Sequence, residues 1–540
     1  MSRKKNSLVK NASVLMVAAI ISRIIGLLYR RPMGQILGPV GMGYYGYASN
    51  LYSILLMISA YSIPMAVSKI ASERLAKHQF KGAHRIFKGA LLYAVIVGGV
   101  VALIAFFGGS FLLPANQQNA VPALRVLAPT IFFSAVLGVF RGYFQAHHNM
   151  TPTSISQIAE QIVNALVSIL AAFLLVRGIT DATRSAIRGA AGGTTGTAAG
   201  VIAGLLFMLF VYNINRGTIL RRMKKDPSRS RESYGQILGI IVMMATPIIL
   251  TTFINNASNY LDSYIYSSLQ GVHGAASDAI AAAYGEFSNY YVPVINIPLA
   301  MASASAAALM PEVSAAMAVR DRKTARAHIA QTVRLTMFIC IPATVGLTVL
   351  AFPVMGVLFP SSTDLSAKML MTGSIYVIFT ALATITGSVL QAIGRQRRAM
   401  INAAVALGIN LLLLVILLNA APGLDIYAVM IANIVFSVAY CLINALTLRK
   451  YLGRSRQKLS VYALTVAASA IMGAAAAGVY YGLFRLTYRP FICLVIAVLV
   501  GIFVYLVVYV VITRTTKEEL AAYPMGRKLV KFFTLIRVYR

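Results

Sequence analysis

Residues 11–38 read NASVLMVAAIISRIIGLLYRRPMGQILG. The run is apolar for about the 20 residues that a helix needs to cross a bilayer, yet it carries a cation halfway along. That cation is Arg23, in Ser22-Arg23-Ile24-Ile25-Gly26. At the helical rise it lies about 18 Å from Asn11, close to the midplane of a membrane. An arginine at that depth costs roughly 3 kcal/mol or more against hydrocarbon, so it must face a bundle interior, a water-filled cavity or a partner. Arg30, Arg31 and Pro32 follow one to two turns later. For Arg30 and Arg31, snorkelling to the headgroups is the alternative.

The chain around this stretch has the same character. Its 540 residues are 59% hydrophobic and 11% charged, with mean hydropathy +0.76, which excludes a soluble domain. The net charge of +34 would suggest nucleic acid if it formed one patch, but the lysines and arginines fall in short segments between apolar runs. Such a pattern is a topology signal. Cys340, Cys441 and Cys493 each lie in an apolar run, so neither a disulfide framework nor a metal site is indicated. The adjacent pair His147 and His148 reads as a polar helix end, and no cleavage site follows the first apolar stretch.

Hydropathy predicts fourteen spans, from 11–36, 45–70 and 88–113 through 235–267 and 278–309 to 460–484 and 490–513. Connections rich in Lys and Arg alternate with connections such as 38–43, 113–120, 270–277 and 420–424 that hold few cations. The positive-inside rule therefore places both termini in the cytoplasm and leaves only short loops outside. The stretch 516–540 alternates apolar and basic residues, as an amphipathic helix on an anionic leaflet would. Anionic lipids are the expected partners there.

An internal repeat organises the spans. Tyr45-Gly46-Tyr47-Ala48-Ser49-Asn50-Leu51-Tyr52 matches Tyr284-Gly285-Glu286-Phe287-Ser288-Asn289-Tyr290-Tyr291, and the same offset carries Glu73 onto Glu312. Gln145-Ala146 likewise pairs with Gln391-Ala392, and Asn164 with Asn410. The set predicts two six-span units, each starting in the cytoplasm and so related by an axis along the membrane normal. The expected divisions are 1–214 and 235–448 for the two bundles, 215–234 for a basic linker, 449–513 for two further helices and 514–540 for the tail.

Polar residues inside spans are the candidate functional groups. Arg141 and Glu160 lie about two turns from the facing ends of spans four and five, where they either pair structurally or contact a ligand. Asp262 and Glu286 either bind a coupling cation or proton or are satisfied by neighbouring asparagines. Pro64, Pro247, Pro293 and Pro298 interrupt spans, as hinges or in passive packing. The glycine-rich run 189–200 lacks the Gly-Lys-Ser/Thr ending of a phosphate loop and reads as close helix packing. With no hydrolase or zinc-protease motif and no catalytic loop outside, the chain reads as no enzyme, and a membrane glycosyltransferase is disfavoured.

These residues carry a resemblance. Ser22 to Gly26, the stretch 41–52, and above all Arg141-Gly142-Tyr143-Phe144-Gln145-Ala146 followed by Pro152-Thr153-Ser154-Ile155-Ser156-Gln157 and Glu160-Gln161 are similar to the polysaccharide-transport branch of the multidrug/oligosaccharidyl-lipid/polysaccharide (MOP) exporter superfamily. Within it the chain most resembles the stage V sporulation protein B and YtgP group, relatives of MurJ-type lipid II flippases. The resemblance implies an all-α polytopic bacterial plasma-membrane protein with two six-helix bundles around a central cavity and two extra helices. It implies a substrate of polyprenyl-pyrophosphate-linked saccharide, such as lipid II, turned from the inner to the outer leaflet. The family's first-span arginines map to Arg23 and Arg30, whereas Tyr44, Ser53 and Pro293 stand near places where Gram-negative flippases carry charges. A guanidinium suits a pyrophosphate through paired donors. The expected binding set is Arg23, Arg30, Asn50, Arg141, Glu160 and Asn289, with Asp262 and Glu286 as ion-coupling candidates for sodium, protons or membrane potential. The expected protein is a monomer without cofactor. A drug/cation antiporter of the same superfamily and a membrane scaffold for envelope or spore assembly are the competing readings.

Overall fold

A computed structural model describes residues 21–61, 63–147, 149–226, 233–453, 459–513 and 534. Every regular element among them is helical, and the chain forms two compact units. The first, Met1–Tyr290 with Leu411–Val429, contains α1 (Arg30–Leu56), α2 (Ile63–Ala76), α3 (Phe80–Leu112), α4 (Val121–Ala146), α5 (Thr151–Val176), α6 (Ala182–Lys224), α7 (Tyr234–Val272) and α8 (Ser277–Gly285). The second, Tyr291–Asn410 with Met430–Arg540, contains α9 (Val292–Ala318), α10 (Arg322–Val349), α11 (Ala351–Leu358), α12 (Asp364–Gly373) and α13 (Tyr376–Ala392). It also contains α16 (Leu459–Thr487) and α17 (Pro490–Thr513). The chain passes between the units within the π-helical turn Glu286–Tyr291, within α14 (Gln396–Ala420) and within α15 (Ile426–Leu452).

Eleven helical segments among the described residues are long and apolar enough to cross a membrane, or twelve if α12 and α13, bent by 53°, count as one broken span. The protein is thus an all-α multi-pass membrane protein, with eleven or twelve such segments among the described residues beside the fourteen that the sequence predicts. The expected segment 11–36 begins outside the described residues, and α7 runs unbroken through the expected segment 235–267. The expected amphipathic tail, apart from Thr534, and His148 also lie outside the described residues.

One expected loop contracts. In place of a connection over 38–43, α1 continues past a single break at Gly38, whose φ of 65° and ψ of 177° are open to glycine and costly for other residues. Pro39 follows it and restarts the helical path. Other helix ends follow ordinary rules. The Asp181 carboxylate accepts the Thr183 and Arg184 amides at 2.9 and 3.2 Å at the start of α6. Ser233 and Gln236 form a reciprocal capping box on α7, at 2.8 and 3.2 Å. Asp321 caps α10, and its bonds from the Thr324 hydroxyl and amide hold its carboxyl below the usual carboxylate range.

The glycine-rich run is a packing stripe. A Cβ at Gly192 would meet the Ala171 carbonyl at 2.8 Å, one at Gly196 the Asn164 carbonyl at 2.4 Å, and one at Gly200 the Glu160 carbonyl at 2.5 Å. Glycines four apart on α6 therefore admit the backbone of α5 one turn at a time. Ser168 of α5 completes the seam by donating to the Gly193 carbonyl at 2.7 Å. Beside it, Ile63, Ile86, Phe87, Phe140, Tyr143 and Met208 belong to one apolar core cluster of the first unit. In the second unit α16 and α17 pack on α10 through Phe338, Met472, Tyr505 and Tyr509, and the Tyr505 hydroxyl donates to the Phe338 carbonyl at 2.8 Å.

Candidate functional site

The two repeat-related segments meet. α1 beyond Gly38 lies against α8 so closely that a Cβ at Gly43 would stand 1.9 Å from the Ala281 carbonyl, and one at Gly285 2.4 Å from the Pro39 carbonyl. Both positions need glycine for this approach. The rings of Tyr47 and Tyr284 then stack at 4.8 Å. Asn50 donates through Nδ2 to the Tyr284 hydroxyl at 2.6 Å, and that hydroxyl donates to the Asn259 carbonyl at 3.3 Å. Asn289 is buried and donates to the Met42 carbonyl at 2.7 Å.

Arg30 joins this group from the start of α1. Its half-buried guanidinium donates through Nη1 to the carbonyls of Ser288 and Asn289 at 3.4 and 3.3 Å. Both contacts are long for hydrogen bonds to a cation. Alongside, the Tyr29 and Tyr45 hydroxyls are 3.0 Å apart. Arg30, Asn50 and Asn289 thus each bond across between α1 and the segment 277–291, and the buried carboxyl-bearing residues Asp262 and Glu286 lie on α7 and at the start of the π-turn. Arg23 lies in the helical stretch 21–28 with its side chain exposed.

Arg141 and Glu160 form a separate site between α4 and α5. Nη2 of Arg141 sits 2.7 Å from Glu160 Oε2, and its Nε donates to Ser156 Oγ at 2.9 Å. The side chains are 14% and 21% exposed, so the pair is screened by little water. This geometry is the hairpin pairing that the sequence reading proposed. Its contact with any ligand is a separate matter.

A polar cluster that the sequence reading passed over lies in connections of low charge. The turn Ala115–Ala120 carries four successive amides. Asn116 Nδ2 donates to the Ser267 carbonyl at 2.9 Å, and Gln117 Nε2 to the Ser263 carbonyl and the Ser267 hydroxyl at 2.9 and 2.8 Å. Asn119 donates to the Tyr44 hydroxyl at 2.9 Å, and that hydroxyl in turn donates to the Asp278 carboxylate, which also accepts from Thr183 at 3.1 Å. Tyr266 donates to Asp425 at 2.5 Å, steadying a residue at φ 46°. The signal was present as Asn116-Gln117-Gln118-Asn119, but amides in a loop are too common to single out. Among the described residues no three His, Cys, Asp or Glu side chains come together as a metal site would require.

Comparison with known proteins now bears on this arrangement. The chain is 25% identical to the lipid II flippase MurJ of Bacillus subtilis (strain 168) over 93% of its length and 94% of that protein's. It is 24% identical to stage V sporulation protein B of the same organism, over 87% and 88%. Its fold matches a solved structure of the lipid II flippase MurJ in an inward closed conformation with a TM-score of 0.67, at 15% identity, covering 92% of this chain and 98% of that one. Residues 8–317 match the family described as polysaccharide biosynthesis protein, and with more than half its length inside that match the chain belongs to this family.

Proposed function

We propose that this protein is a flippase that moves a polyprenyl-pyrophosphate-linked saccharide, of the lipid II kind, from the inner to the outer leaflet by alternating access. The observation that carries the reading is Arg30, a half-buried guanidinium whose bonds to the Ser288 and Asn289 carbonyls are long, with the amides of Asn50 and Asn289 bonded across the same helix contact. A pyrophosphate requires such a cation away from bulk water, and flanking amides suit a saccharide. The near full-length likeness to a lipid II flippase supports the same substrate class. Arg23, exposed in the same segment of the chain, is the second phosphate ligand.

In this reading the two six-span repeats form the bundles that alternate, Arg141 and Glu160 act as a cavity pair or gate, and Asp262 and Glu286 take the coupling ion. The protein works as a monomer in the bacterial plasma membrane with both termini in the cytoplasm and anionic lipids around its basic segments. It carries out no bond chemistry.

The burial of both Asp262 and Glu286 favours a second reading, a cation-coupled antiporter. Leaflet accessibility of fluorescent lipid II in proteoliposomes separates the two. Exposure that rises with the wild-type protein and falls at least tenfold with Arg23→Ala or Arg30→Ala supports the flippase. Extrusion of a cationic dye against a sodium or proton gradient, with lipid II unmoved, replaces it with the antiporter.

A further inference from the structure

Ser288 and Asn289 lie inside the π-helical turn Glu286–Tyr291, and Pro293 follows four residues after Asn289 and five after Ser288. Those are the positions whose amides would serve the Asn289 carbonyl in an α-helix and the Ser288 carbonyl in a π-helix. Proline has no N–H, so it can serve neither. Arg30 donates to these same two oxygens. A guanidinium on one helix thus replaces a backbone donor that the sequence of another has removed. The same turn is where the chain leaves the first compact unit, between Tyr290 and Tyr291.

We propose that Arg30 is a headgroup-sensitive clamp on this turn. It holds the carbonyls of Ser288 and Asn289 beside the missing Pro293 donor until a pyrophosphate draws the guanidinium away, and the turn then serves as the hinge. The contacts at 3.4 and 3.3 Å are long, and both acceptors are neutral. A phosphate oxygen offers a full charge and shorter bonds, so it competes well for the same donor. Binding would then weaken the turn at the moment the site fills, which couples occupancy to movement without a separate sensor. Identification of the anion as a lipid-linked pyrophosphate rests on the flippase reading, whereas the clamp itself does not.

Hydrogen–deuterium exchange of the full-length protein in nanodiscs tests both parts, read at the amides of 286–296 with α4 and α5 as the check on folding. Without ligand, Arg30→Gln is expected to raise exchange at the turn about tenfold, in keeping with the loss of a charge-assisted bond. Adding Pro293→Ala to that variant restores a backbone donor and returns exchange towards the wild-type value. Undecaprenyl pyrophosphate is expected to raise wild-type exchange to the Arg30→Gln level and to leave the variant unchanged. If inorganic pyrophosphate does the same, the headgroup alone suffices; if only the lipid does, the polyprenyl tail is needed, and either result supports the clamp. Exchange that is the same in wild type and Arg30→Gln without ligand overturns the clamp. A wild-type turn that does not respond while native mass spectrometry shows the lipid bound overturns the release step. A lipid that does not bind at all overturns the release step together with the flippase reading, and leaves the clamp to be decided by the ligand-free arm.

Discussion

Arg141 has one close carboxylate and one hydroxyl, and this makes its role separable by charge reversal. Removing either member of a largely buried pair leaves the other charge uncompensated, at about 3 kcal/mol. Arg141→Ala and Glu160→Ala are therefore each expected to lower thermal stability by that order, whereas the exchange Arg141→Glu with Glu160→Arg recovers most of it. If the pair only braces the α4–α5 hairpin, flipping recovers with stability; if Arg141 also meets the headgroup, the exchanged protein is stable and inactive. Thermal unfolding in detergent beside the proteoliposome assay distinguishes these outcomes. The pair was legible in the sequence because both residues stand about two turns from one short connection, so helical geometry alone brings them level. The partners of Arg30 were not, because they are backbone carbonyls whose freedom depends on a proline several residues away, and no polar letter marks them.

At the scale of elements, glycines divide by what surrounds them. A methyl group at Gly196 would lie 2.0 Å from Ser168 Oγ and 2.4 Å from the Asn164 carbonyl, so α6 would have to move off α5. Gly196→Ala is expected to destabilise by about 2 kcal/mol through that overpacking. Gly239 in α7 has nothing within 4 Å of an added Cβ, so Gly239→Ala is expected to raise stability by about 0.5 kcal/mol through helix propensity and a less flexible unfolded chain. Paired melting curves of the two variants check the contrast, and a common sign for both would contradict it. The stripe was readable as packing because glycines four apart in an apolar run have few other uses. The register against α5 was not readable, since it depends on which α5 backbone groups Gly192, Gly196 and Gly200 meet. The connection expected over 38–43 is shorter than composition suggests: the break at Gly38 alone bends the chain sharply enough to bring the Tyr29 and Tyr45 hydroxyls within 3.0 Å.

For the molecule as a whole, the alternation of charged and uncharged connections was enough to read a multi-pass helical protein, while polar ties between connections depend on contacts far apart in sequence. The ties made by the turn Ala115–Ala120 carry the last prediction. This turn bonds to α7 through Asn116 and Gln117 and to α1 through Asn119, and Tyr44 passes the connection on to Asp278 in the first turn of α8. In the repeat reading, α1 belongs to one half and α7 and α8 to the other, so release of a headgroup at the face assigned to the outside must break these bonds. Each neutral bond contributes about 1 kcal/mol, and together they set a barrier of a few kcal/mol against opening there. Asn116→Ala with Gln117→Ala is expected to lower that barrier by about 2 kcal/mol, which is roughly a thirtyfold change in the open population if the turn opens as a unit. Ser263→Cys, placed under the turn in a background lacking Cys340, Cys441 and Cys493, reports that opening through its reaction with a membrane-impermeant maleimide added outside. Labelling that rises more than tenfold with the double substitution, while melting stays within a few degrees of the parent, identifies the turn as an outer latch. Labelling that stays at the parent rate would mean that the amides brace the connections without restraining their opening, and the barrier would then have to reside in the glycine contact of α1 with α8.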